Sequence, residues 1–504
     1  MQQVLNDNLG RQRLTMHERG ICVVIPTYNN VGTIRDVVAR AKAQCDDVIV
    51  VCDGATDGTL EVLRSMEGIV LVEYPQNAGK GEALRQGFRK ALSMGFAYAI
   101  TLDADGQHFP EDMHLFLDAN MAHPGALIVG ERQMQGADRS AGSRFANSFS
   151  NFWFCVQTLH YMPDTQSGYR LYPLHKLRGM GLLTSRYEAE LELMVFASWH
   201  GVPLRSIPIS VYYPPRHERV SHFRPVPDFT RIFLLNTVLC MLALVYALPL
   251  ALFRMLRTAC YTLYALLFYV LCCLCVMMPA AFVCRMVIGD GSRYRRFLHN
   301  MLYGVTRFVV RIHGIPGVRC TVDNRHGEEF KRPSVVICNH QSFLDLMLML
   351  SLSPNLIVLT NDWVWHSPFY GYVLRGAAFY PVSEGMENLL PKLEKMVDEG
   401  YSIVVYPEGT RSADGKIKRF HQGAFHIAER LGLDIVPMIE YGANHVLPKK
   451  GKYLRRGNVH LQIGRRYPRA EYSLHGGPRQ VCRWFQKYYV KQMETLSNRF
   501  DRMA

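Results

Sequence analysis

Short apolar runs and helical-period stretches alternate along the first part of the chain. The runs at Ile21–Pro26, Val48–Cys52, Ile69–Glu73 and Tyr98–Leu102 have the length of strands, and stretches of helix length separate them. This βαβα alternation predicts a parallel sheet covered by helices, which is an α/β fold. In such sheets ligands bind at the carboxyl ends of the strands, so the polar motifs that follow these runs are the candidates for chemistry.

A second α/β pattern begins near Val318. Its apolar strands are predicted at Ser334–Cys338, Ser402–Tyr406 and Ile435–Ile439. The chain has 504 residues, which is too long for one ordinary domain and suits two domains with a connecting segment.

The segment between the two patterns is strongly apolar. No charged residue occurs in 232–253 or in 258–284, and each run is long enough to cross a bilayer core as a helix. Only Arg254 and Arg257 interrupt the two runs. We therefore predict a transmembrane helical hairpin over 232–290, between domains 1–231 and 291–504. Two alternatives stay open: two buried helices of a soluble domain, or a re-entrant or interfacial hairpin.

Both flanks of this segment are basic, and the next helix is amphipathic. The flanking arginines indicate a multi-pass protein of the cell (inner) membrane with both domains in the cytoplasm. They are Arg216, Arg219, Arg224, Arg231, Arg285, Arg293, Arg295 and Arg296. The stretch Tyr294–Arg311 reads as a basic amphipathic helix, which either lies on a membrane surface or packs on the following domain.

The net charge and the cysteines narrow the class of protein. The charge is +14, which suits anionic lipids or phosphorylated substrates, and the chain shows no nucleic-acid-binding motif. We therefore expect no nucleic-acid partner. Six of the 13 cysteines lie in the apolar segment and none forms a paired metal-binding pattern, which indicates reduced thiols in a protein that faces the cytosol.

The first chemical centre is predicted where the fourth strand ends. Asp103 and Asp105 are two residues apart at this end, and such a pair can share Mg²⁺ or Mn²⁺ that bridges the diphosphate of a nucleotide sugar. Asp53 follows the second strand, where it could bind a base or ribose. Lys80 opens a helix, so it and the nearby backbone amides could face phosphate.

These motifs together resemble glycosyltransferase family 2, especially its branch with dolichol-phosphate mannose synthase. The resemblance covers about residues 20–230 and rests on Ile25–Asn30, the segment around Asp53, Asn77–Gly81, Asp103–His108, Gly130–Arg132 and Asp164–Arg170. It implies a GT-A (Rossmann-like) fold, a nucleotide-sugar donor and inversion at the sugar. The residues that it places at the donor are Pro26, Tyr28, Asp53, Lys80, Asp103, Arg132 and Arg170, with Asp103 and Asp105 on the metal.

The need for a general base depends on the acceptor. A lipid phosphate is already anionic, whereas a hydroxyl acceptor needs a carboxylate base. Glu188, Glu190 and Glu192 are the candidates, although they equally fit an ordinary solvated or partly buried helix face.

The second chemical centre follows the strand that ends at Cys338. His340 and Asp345 are five residues apart across a strand-to-helix turn, so the carboxylate can orient the imidazole as a base for a hydroxyl or amine acceptor. The acceptor can then attack a thioester directly.

Three further strings make this half resemble the glycerolipid (lysophosphatidate) acyltransferase family over about residues 295–465. They are Tyr406–Ser412, Phe420–Ala428 and Ile435–Ile439. The resemblance implies that His340 is the base and Asp345 its partner, that Glu408 completes the catalytic set, and that acyl-CoA or acyl carrier protein is the donor. It places Asn339, Gly409, Thr410 and Arg411 at the acceptor.

One departure bears on the acceptor. Users of glycerol phosphate carry an arginine in their second motif, whereas Gly376–Val382 has none. This puts glycerol 3-phosphate and lysophosphatidate in doubt and favours a sugar or a lipid made by the first domain, unless Arg375 or another basic residue compensates.

The two halves predict a bifunctional membrane enzyme that transfers a sugar to a lipid or lipid phosphate and an acyl chain to a second acceptor. Two alternatives remain: an acyltransferase with a non-catalytic sugar- or lipid-binding domain, and a processive polysaccharide synthase. The string Gln480–Trp484 matches a motif of such synthases, but it lies beyond the second domain, and we interpret it as coincidence.

Overall fold

The computed structural model describes residues 2–133, 141–212 and 225–500. The chain divides into two compact units, Met1–Phe253 with Asn498–Ala504, and Arg254–Ser497. Each unit contains one sheet with helices against it, so the α/β fold predicted for both halves is confirmed. The domain boundaries proposed at 231 and 290 stay predictions.

The first unit is built on a seven-stranded sheet. Its strands are β1 (Ile21–Thr27), β2 (Val48–Asp53), β3 (Val70–Tyr74), β4 (Tyr98–Thr101), β5 (Leu127–Arg132), β6 (Arg170–Pro173) and β7 (Leu204–Ile209). Their order is β3-β2-β1-β4-β6-β5-β7, and only β6 runs antiparallel to its neighbours. The carboxyl ends of β1, β2 and β4 therefore meet at one edge, where the predicted polar motifs lie.

Helices cover both faces of this sheet, and an apolar core lies on each side. They are α1 (Gln2–Glu18), α2 (Ile34–Gln44), α3 (Thr59–Arg64), α4 (Lys80–Ser93), α5 (Met113–Ala122), α6 (Ala141–Thr158), α7 (Leu174–Leu177) and α8 (Glu188–Trp199), with a 3₁₀ turn at Pro110–Asp112. Alternate residues of one strand serve opposite cores: Val23 faces the first cluster and Val24 the second.

The apolar segment forms one continuous helix instead of the predicted hairpin. It comprises α9 (Pro225–Leu242), a π-helical turn (Ala243–Ala247), α10 (Leu248–Leu271), a second π-helical turn (Cys272–Met277) and α11 (Met278–Ile288). Arg254 and Arg257 lie inside α10. Arginine is a good helix former and no glycine lies near these positions, so nothing in the sequence ends the helix there.

This long helix keeps most of its apolar surface exposed. Leu235 and Leu239 pack into the core of the first unit, and Cys273 and Ala281 pack into the core of the second. Many other large apolar side chains are exposed, up to 78% at Val287. By length and composition, Thr230–Ile288 is the one helix of the described residues that could cross a membrane. The predicted arginines Arg216, Arg219 and Arg224 lie outside the described residues.

The second unit is built on a six-stranded sheet. Its strands are β8 (Val318–Asp323), β9 (Ser334–Cys338), β10 (Leu356–Val358), β11 (Ser402–Val405), β12 (Asp434–Tyr441) and β13 (Gly457–Ile463). Their order is β10-β11-β9-β12-β13-β8, and only the β12–β13 pairing is antiparallel.

The helices of this unit include the predicted amphipathic one. They are α12 (Ser292–Arg307), α13 (Leu344–Leu350), α14 (Asp362–Trp365), α15 (Gly371–Gly376), α16 (Met386–Asp398), α17 (Gly423–Arg430), α18 (Ala443–Val446), α19 (Arg469–Tyr472) and α20 (Pro478–Phe500). A π-helical turn at Phe308–His313 and 3₁₀ turns at Val382–Glu384 and Ser473–His475 complete the set. Helix α12 buries Tyr294, Leu298 and Leu302 in the core of this unit, so its apolar face packs on the following domain.

The string Gln480–Trp484 lies in α20. Val481 and Cys482 are buried, and the Trp484 ring stacks on His475 at 4.3 Å between centroids. These contacts give the string a packing role in the second unit.

Candidate active sites

The first centre is a cluster of charged groups around Lys80, in which Glu190 is buried and Lys80 and Asp103 are partly buried. This residue begins α4, Asp103 follows β4, and Glu190 lies in the first turn of α8. The Lys80 Nζ atom lies 2.6 Å from Asp103 Oδ1 and 2.8 Å from Glu190 Oε2. One ammonium group thus joins two carboxylates from separate elements, at the sheet edge where the sequence predicts the donor site.

Gly168 leaves room for this cluster because it has no side chain. A Cβ atom at this position would lie 2.4 Å from Asp103 Oδ2 and 2.8 Å from Lys80 Nζ. The Gly168 carbonyl accepts a 2.7 Å hydrogen bond from Thr101 Oγ1, which fixes the loop against the end of β4. A side chain at position 168 would therefore push the two charged groups apart.

The charges of this centre control one another's protonation. Burial alone would lower the pKa of Lys80, but Asp103 and Glu190 raise it above its ordinary value. Burial alone would raise the pKa of Asp103, but Lys80 holds it below its ordinary value. Lys80 acts less strongly on Asp105, and burial together with the charge of Asp103 raises the pKa of Asp105 to about 6.

The metal predicted for this centre is not confirmed. Among the residues that the structure describes, no group of three His, Cys, Asp or Glu side chains is arranged to hold a metal ion. Asp103 and Asp105 supply at most two protein ligands, and one Asp105 oxygen accepts the Gln107 amide at 3.0 Å. Two carboxylates fit Mg²⁺ or Mn²⁺ only if phosphate oxygens or waters complete the shell, as is common for nucleotide sites.

Asp53 shapes the loop that carries Lys80. Its two carboxylate oxygens accept the backbone amides of Ala78 at 2.7 Å and Gly79 at 2.9 Å. Gly79 has φ +98°, a conformation that favours glycine. The predicted contact of Asp53 with a base or ribose thus competes with a structural role that already uses both oxygens.

The two predicted phosphate-binding arginines are both engaged by the protein. Arg132 forms a two-point pair with buried Asp164, with Nε–Oδ2 at 2.7 Å and Nη2–Oδ1 at 2.9 Å. Arg170 is 1% exposed and donates to the carbonyls of Ser167 at 2.6 Å and Glu190 at 2.8 Å. Carbonyl groups therefore hold the Arg170 guanidinium inside the core, and its predicted place at the donor stays a prediction.

The remaining predicted residues of this centre lie at the end of β1. Pro26 pairs with Val51 within the sheet, and the Tyr28 carbonyl accepts the side-chain amide of Asn30 at 3.0 Å. Both belong to the same carboxyl-end edge as Asp53 and Asp103.

Only one of the three candidate bases faces the cluster. All three glutamates are buried, which excludes a solvated helix face. Glu192 accepts the amides of Leu183 at 2.5 Å and Thr184 at 2.9 Å, so it caps a loop. Glu190 reaches Lys80, and its Oε1 atom has no hydrogen-bond partner in the described protein. Among these candidates, Glu190 is therefore the group available to a substrate.

The second centre is a histidine–aspartate pair at the end of β9. His340 Nδ1 lies 2.7 Å from Asp345 Oδ2, and Asp345 is fully buried at the start of α13. Asp345 also accepts the amides of Gln341 at 2.7 Å and Ser342 at 2.9 Å. With Nδ1 donating to the carboxylate, the Nε2 lone pair is left to accept a proton. The structure thus brings the predicted base and its partner together.

Glu408 acts on His340 through the backbone. Its Oε1 atom accepts the His340 amide at 3.1 Å, and its Oε2 atom accepts the Lys418 amide at 3.1 Å. Burial raises the pKa of this carboxyl. Both oxygens bind backbone amides, so the observed contacts of Glu408 position the loop, and its predicted catalytic role stays a prediction.

The other predicted residues lie on the loops that follow β9 and β11. The Arg411 guanidinium lies 4.1 Å from the Phe343 ring centroid, and Thr410 Oγ1 accepts a 2.8 Å hydrogen bond from Lys449. Gly409 has φ +64° and passes close to His421. Asn339 lies beneath them and exchanges two hydrogen bonds with the backbone of β12, at 2.9 and 2.8 Å.

Lys449 is a candidate functional residue that the sequence reasoning missed. Arg375, the residue considered as a replacement for the missing arginine, donates to the Trp365 carbonyl at 2.7 Å and lies over that ring. Lys449 instead brings a cation to the loop of Thr410 and Arg411. These positions are far apart in sequence, so no local pattern could indicate the contact.

Comparison with known protein families identifies two matches in the chain. Residues 22–175 match glycosyl transferase family 2, and residues 318–440 match the acyltransferase family.

The first part of the chain is similar to two curated transferases. It is 31% identical over 206 residues to the polyprenol monophosphomannose synthase of Mycolicibacterium smegmatis, which is 37% of this chain and 76% of that protein. It is 26% identical over 220 residues to the UDP-N-acetylglucosamine–dolichyl-phosphate N-acetylglucosaminyltransferase of Methanococcus voltae, which is 39% of this chain and 88% of that protein.

The second part is similar to acyltransferases. It is 30% identical over 136 residues to the chloroplastic 1-acyl-sn-glycerol-3-phosphate acyltransferase LPAT1 of Arabidopsis thaliana, which is 26% of this chain and 38% of that protein. The crystal structure of the 1-acyl-sn-glycerophosphate acyltransferase of Thermotoga maritima matches with 21% identity and a TM-score of 0.41, over 48% of this chain and 98% of that one. The chain spans less than half the length of the plant relative that it matches.

Proposed function

The chain belongs to glycosyl transferase family 2 and carries a domain of the acyltransferase family, and from this premise we propose a bifunctional, membrane-attached enzyme of glycolipid synthesis. One domain transfers a sugar from a nucleotide sugar to a lipid or lipid phosphate. The other transfers an acyl chain from acyl-CoA or acyl carrier protein to a hydroxyl or amine. The observation that carries the proposal is the presence, in one polypeptide, of two separate clusters of polar side chains, the ion pairs of Lys80 and the His340–Asp345 pair.

The sugar-transfer half of the proposal rests on the Lys80 cluster and on the relatives. Two of them are named for polyprenol or dolichyl phosphate, which supports an anionic lipid acceptor that needs no protein base. When bound, Mg²⁺ or Mn²⁺ on Asp103 and Asp105 would neutralise the diphosphate leaving group. We assign Lys80 to a phosphate oxygen of the donor and Glu190 to the base for a hydroxyl acceptor, and the ion pairs of Lys80 with Asp103 and Glu190 put these groups at one site.

The acyl-transfer half rests on the His340–Asp345 pair. His340 Nε2 takes the proton of an acceptor hydroxyl or amine while the acceptor attacks the thioester carbon, and Asp345 stabilises the imidazolium that forms. Glu408 and Asn339 hold the backbone around this pair in place. Thr410 and Arg411 line the side from which the acceptor enters.

Attachment to the cytoplasmic face of the cell membrane is supported by the helix Thr230–Ile288. This helix has 59 residues and is therefore roughly 90 Å long, about three times the thickness of a bilayer core. One straight crossing would leave most of its exposed apolar side chains in water. We infer that it lies in the membrane interface over part of its length. All cysteines are free thiols, which fits a reducing compartment.

The proposal is tested by mass spectrometry of lipids from cells that express the intact chain, His340→Ala or Asp103→Ala. We expect one lipid to lose an acyl mass in the first variant and a hexose-like mass in the second. If each variant removes a different, unrelated lipid, the two domains share a polypeptide but not a product. If Asp103→Ala leaves every lipid unchanged, the first domain only binds sugar or lipid, and a polymeric product would instead indicate a polysaccharide synthase.

A further inference from the structure

A layer of buried polar groups lies directly behind His340. Strands β9, β11 and β12 are in register at Val336, Val404 and Val436, whose side chains share one core with α13. Side chains alternate between faces, so residues two and four positions further along point to the same side. This places Glu440 of β12 on the face of that core. His340 and Tyr406 follow the ends of β9 and β11, where their rings stack at 4.4 Å between centroids and His340 contacts Asp345.

Glu440 is a carboxyl group that the protein neither exposes nor pairs with a cation. It is 0% exposed, and neither carboxyl oxygen has a hydrogen-bond partner of ordinary geometry in the described protein. Its backbone is fixed, because the Asn339 side chain donates to the Glu440 carbonyl and accepts the Glu440 amide. The backbone of Glu440 is therefore tied to Asn339, the residue that precedes His340.

The surroundings of Glu440 disfavour a negative charge there. The titratable groups that act on it are Asp345 of α13, Cys338 of β9, Cys320 of β8 and Tyr406 beyond β11, and none of these four is a cation. An ionised carboxylate in such a place has lost its water and gained a like-charged neighbour. Burial and Asp345 accordingly raise the pKa of Glu440 well above its ordinary value.

Asp345 can accept one more hydrogen bond. Its Oδ2 atom already binds His340 at 2.7 Å and the Gln341 amide at 2.7 Å. Within the described parts of the chain, its Oδ1 atom accepts only the Ser342 amide, at 2.9 Å. A protonated carboxyl group carries an O–H donor, and a carboxylate oxygen has two lone pairs.

We propose that Glu440 is a positioning residue of the acyltransferase centre, which as a neutral acid donates a hydrogen bond to Asp345 and holds it ionised and aligned on His340. The inference rests on the proposed acyl transfer. In that reaction His340 takes the acceptor proton, the acceptor oxygen bonds to the acyl carbon, the C–S bond breaks, and the thiolate leaves with the proton from His340. Glu440 keeps its own proton throughout.

The test compares Glu440→Gln, which keeps a donor of the same shape, with Glu440→Leu, which keeps the volume and removes the donor. Palmitoyl-CoA is the donor probe, a saturating total-lipid extract of the expressing cells supplies the acceptors, and kcat for release of CoA is measured against pH. We expect Glu440→Leu to lower kcat about tenfold. In Glu440→Leu we also expect the acidic limb of the kcat–pH profile to move to higher pH. Without the hydrogen bond from Glu440, the Asp345 carboxylate attracts the imidazolium proton of His340 more strongly. Glu440→Gln restores most of the rate and the position of the limb.

A space-filling role would leave the acidic limb of both variants where it is in the wild type, and this result would overturn the proposal. A limb that moves equally in both variants would also overturn it, because the loss of a negative charge would then be the cause. Infrared difference spectra of wild type minus Glu440→Gln need no substrate. We expect a protonated-carboxyl C=O band at neutral pH, and its absence contradicts the neutral acid. If wild type and His340→Ala are equally inactive while the band is present, the proposed acyl transfer fails and the neutral acid stands.

Discussion

The first centre pairs its charged groups with one another, whereas the second presents a base whose outer nitrogen is left for the substrate. Lys80 is held by Asp103 and Glu190, and Arg132 by Asp164, so the charges of the sugar site are balanced before any donor arrives. His340 is oriented from one side by Asp345. The comparison indicates that acyl transfer depends on a geometry already present, and that sugar transfer requires the donor to rearrange existing ion pairs.

The largest effect is expected at the preformed base. His340→Ala should lower acyl transfer by roughly a thousandfold, about 4 kcal/mol in the barrier, because no other described group replaces Nε2. Sugar transfer by the same preparation should be unchanged. The exposed His475, which stacks on Trp484, provides a matched control in His475→Ala. An acyl transfer rate that survives His340→Ala would show that the second centre is not preorganised around this pair.

The next effect concerns the balanced charges of the first centre. Lys80→Met leaves buried Glu190 and partly buried Asp103 without their cation, and should destabilise the first unit by about 2 kcal/mol. Hydrogen exchange of peptides from β4 and α8 measures this locally. The exposed Lys90 on the same helix gives the control Lys90→Met.

The double variant Lys80→Met with Glu190→Gln sharpens this test. Removing one carboxylate together with the ammonium leaves a smaller charge imbalance, so part of the stability should return. If Lys80→Met alone costs nothing, the ion pairs do not hold the first centre together, and the contrast between the centres is lost.

A smaller effect is expected at the mouth of the second centre. Lys449→Met should raise KM for a phosphate-bearing acceptor about tenfold, about 1.5 kcal/mol, and leave KM for the acyl thioester unchanged. The adjacent exposed lysine supplies the control Lys450→Met. Equal KM values in both variants would show that Lys449 does not replace the arginine missing from Gly376–Val382, and would favour an uncharged acceptor.

Local sequence was sufficient to predict those site residues of both centres that directly follow a single strand. The strands before Asp53, Asp103 and His340 were predictable from their apolar runs, because a fully buried strand is bounded by polar residues. The His340–Asp345 pair was predictable because five residues span one strand-to-helix turn.

Contacts between distant elements were not predictable in this way. Nothing local joins Lys80 to Glu190, Glu440 to the pair at His340, or Thr410 to Lys449, since each contact depends on the order of strands and on packing. The predicted helical hairpin was not found, for a related reason. The pattern of charges shows which part of a helix is apolar. A helix ends at a helix-breaking residue or where a tertiary contact redirects the chain, and Arg254 does not break a helix.

The smallest effect tests whether the balanced charges of the first centre also govern its response to pH. Burial alone would raise the pKa of Asp164, but the hydrogen bonds from Arg132 hold it below its ordinary value. The folded state therefore keeps this carboxylate ionised at a pH where the unfolded chain, with a value of about 3.9, takes up a proton. Its contribution is complete above that pH and is lost as the pH falls through the folded value.

Asp164→Asn should accordingly cost about 1 kcal/mol of stability at neutral pH and progressively less as the pH is lowered below about 4. Hydrogen exchange of β5 and α6 at two pH values measures the difference, and Asp118→Asn, on an exposed carboxylate, is the control. If Asp164→Asn loses the same free energy of unfolding at both pH values, Asp164 contributes through packing and not through its charge. The ion pairs of the first centre would then be a by-product of packing, and the difference between the two centres would lie in their ligands alone.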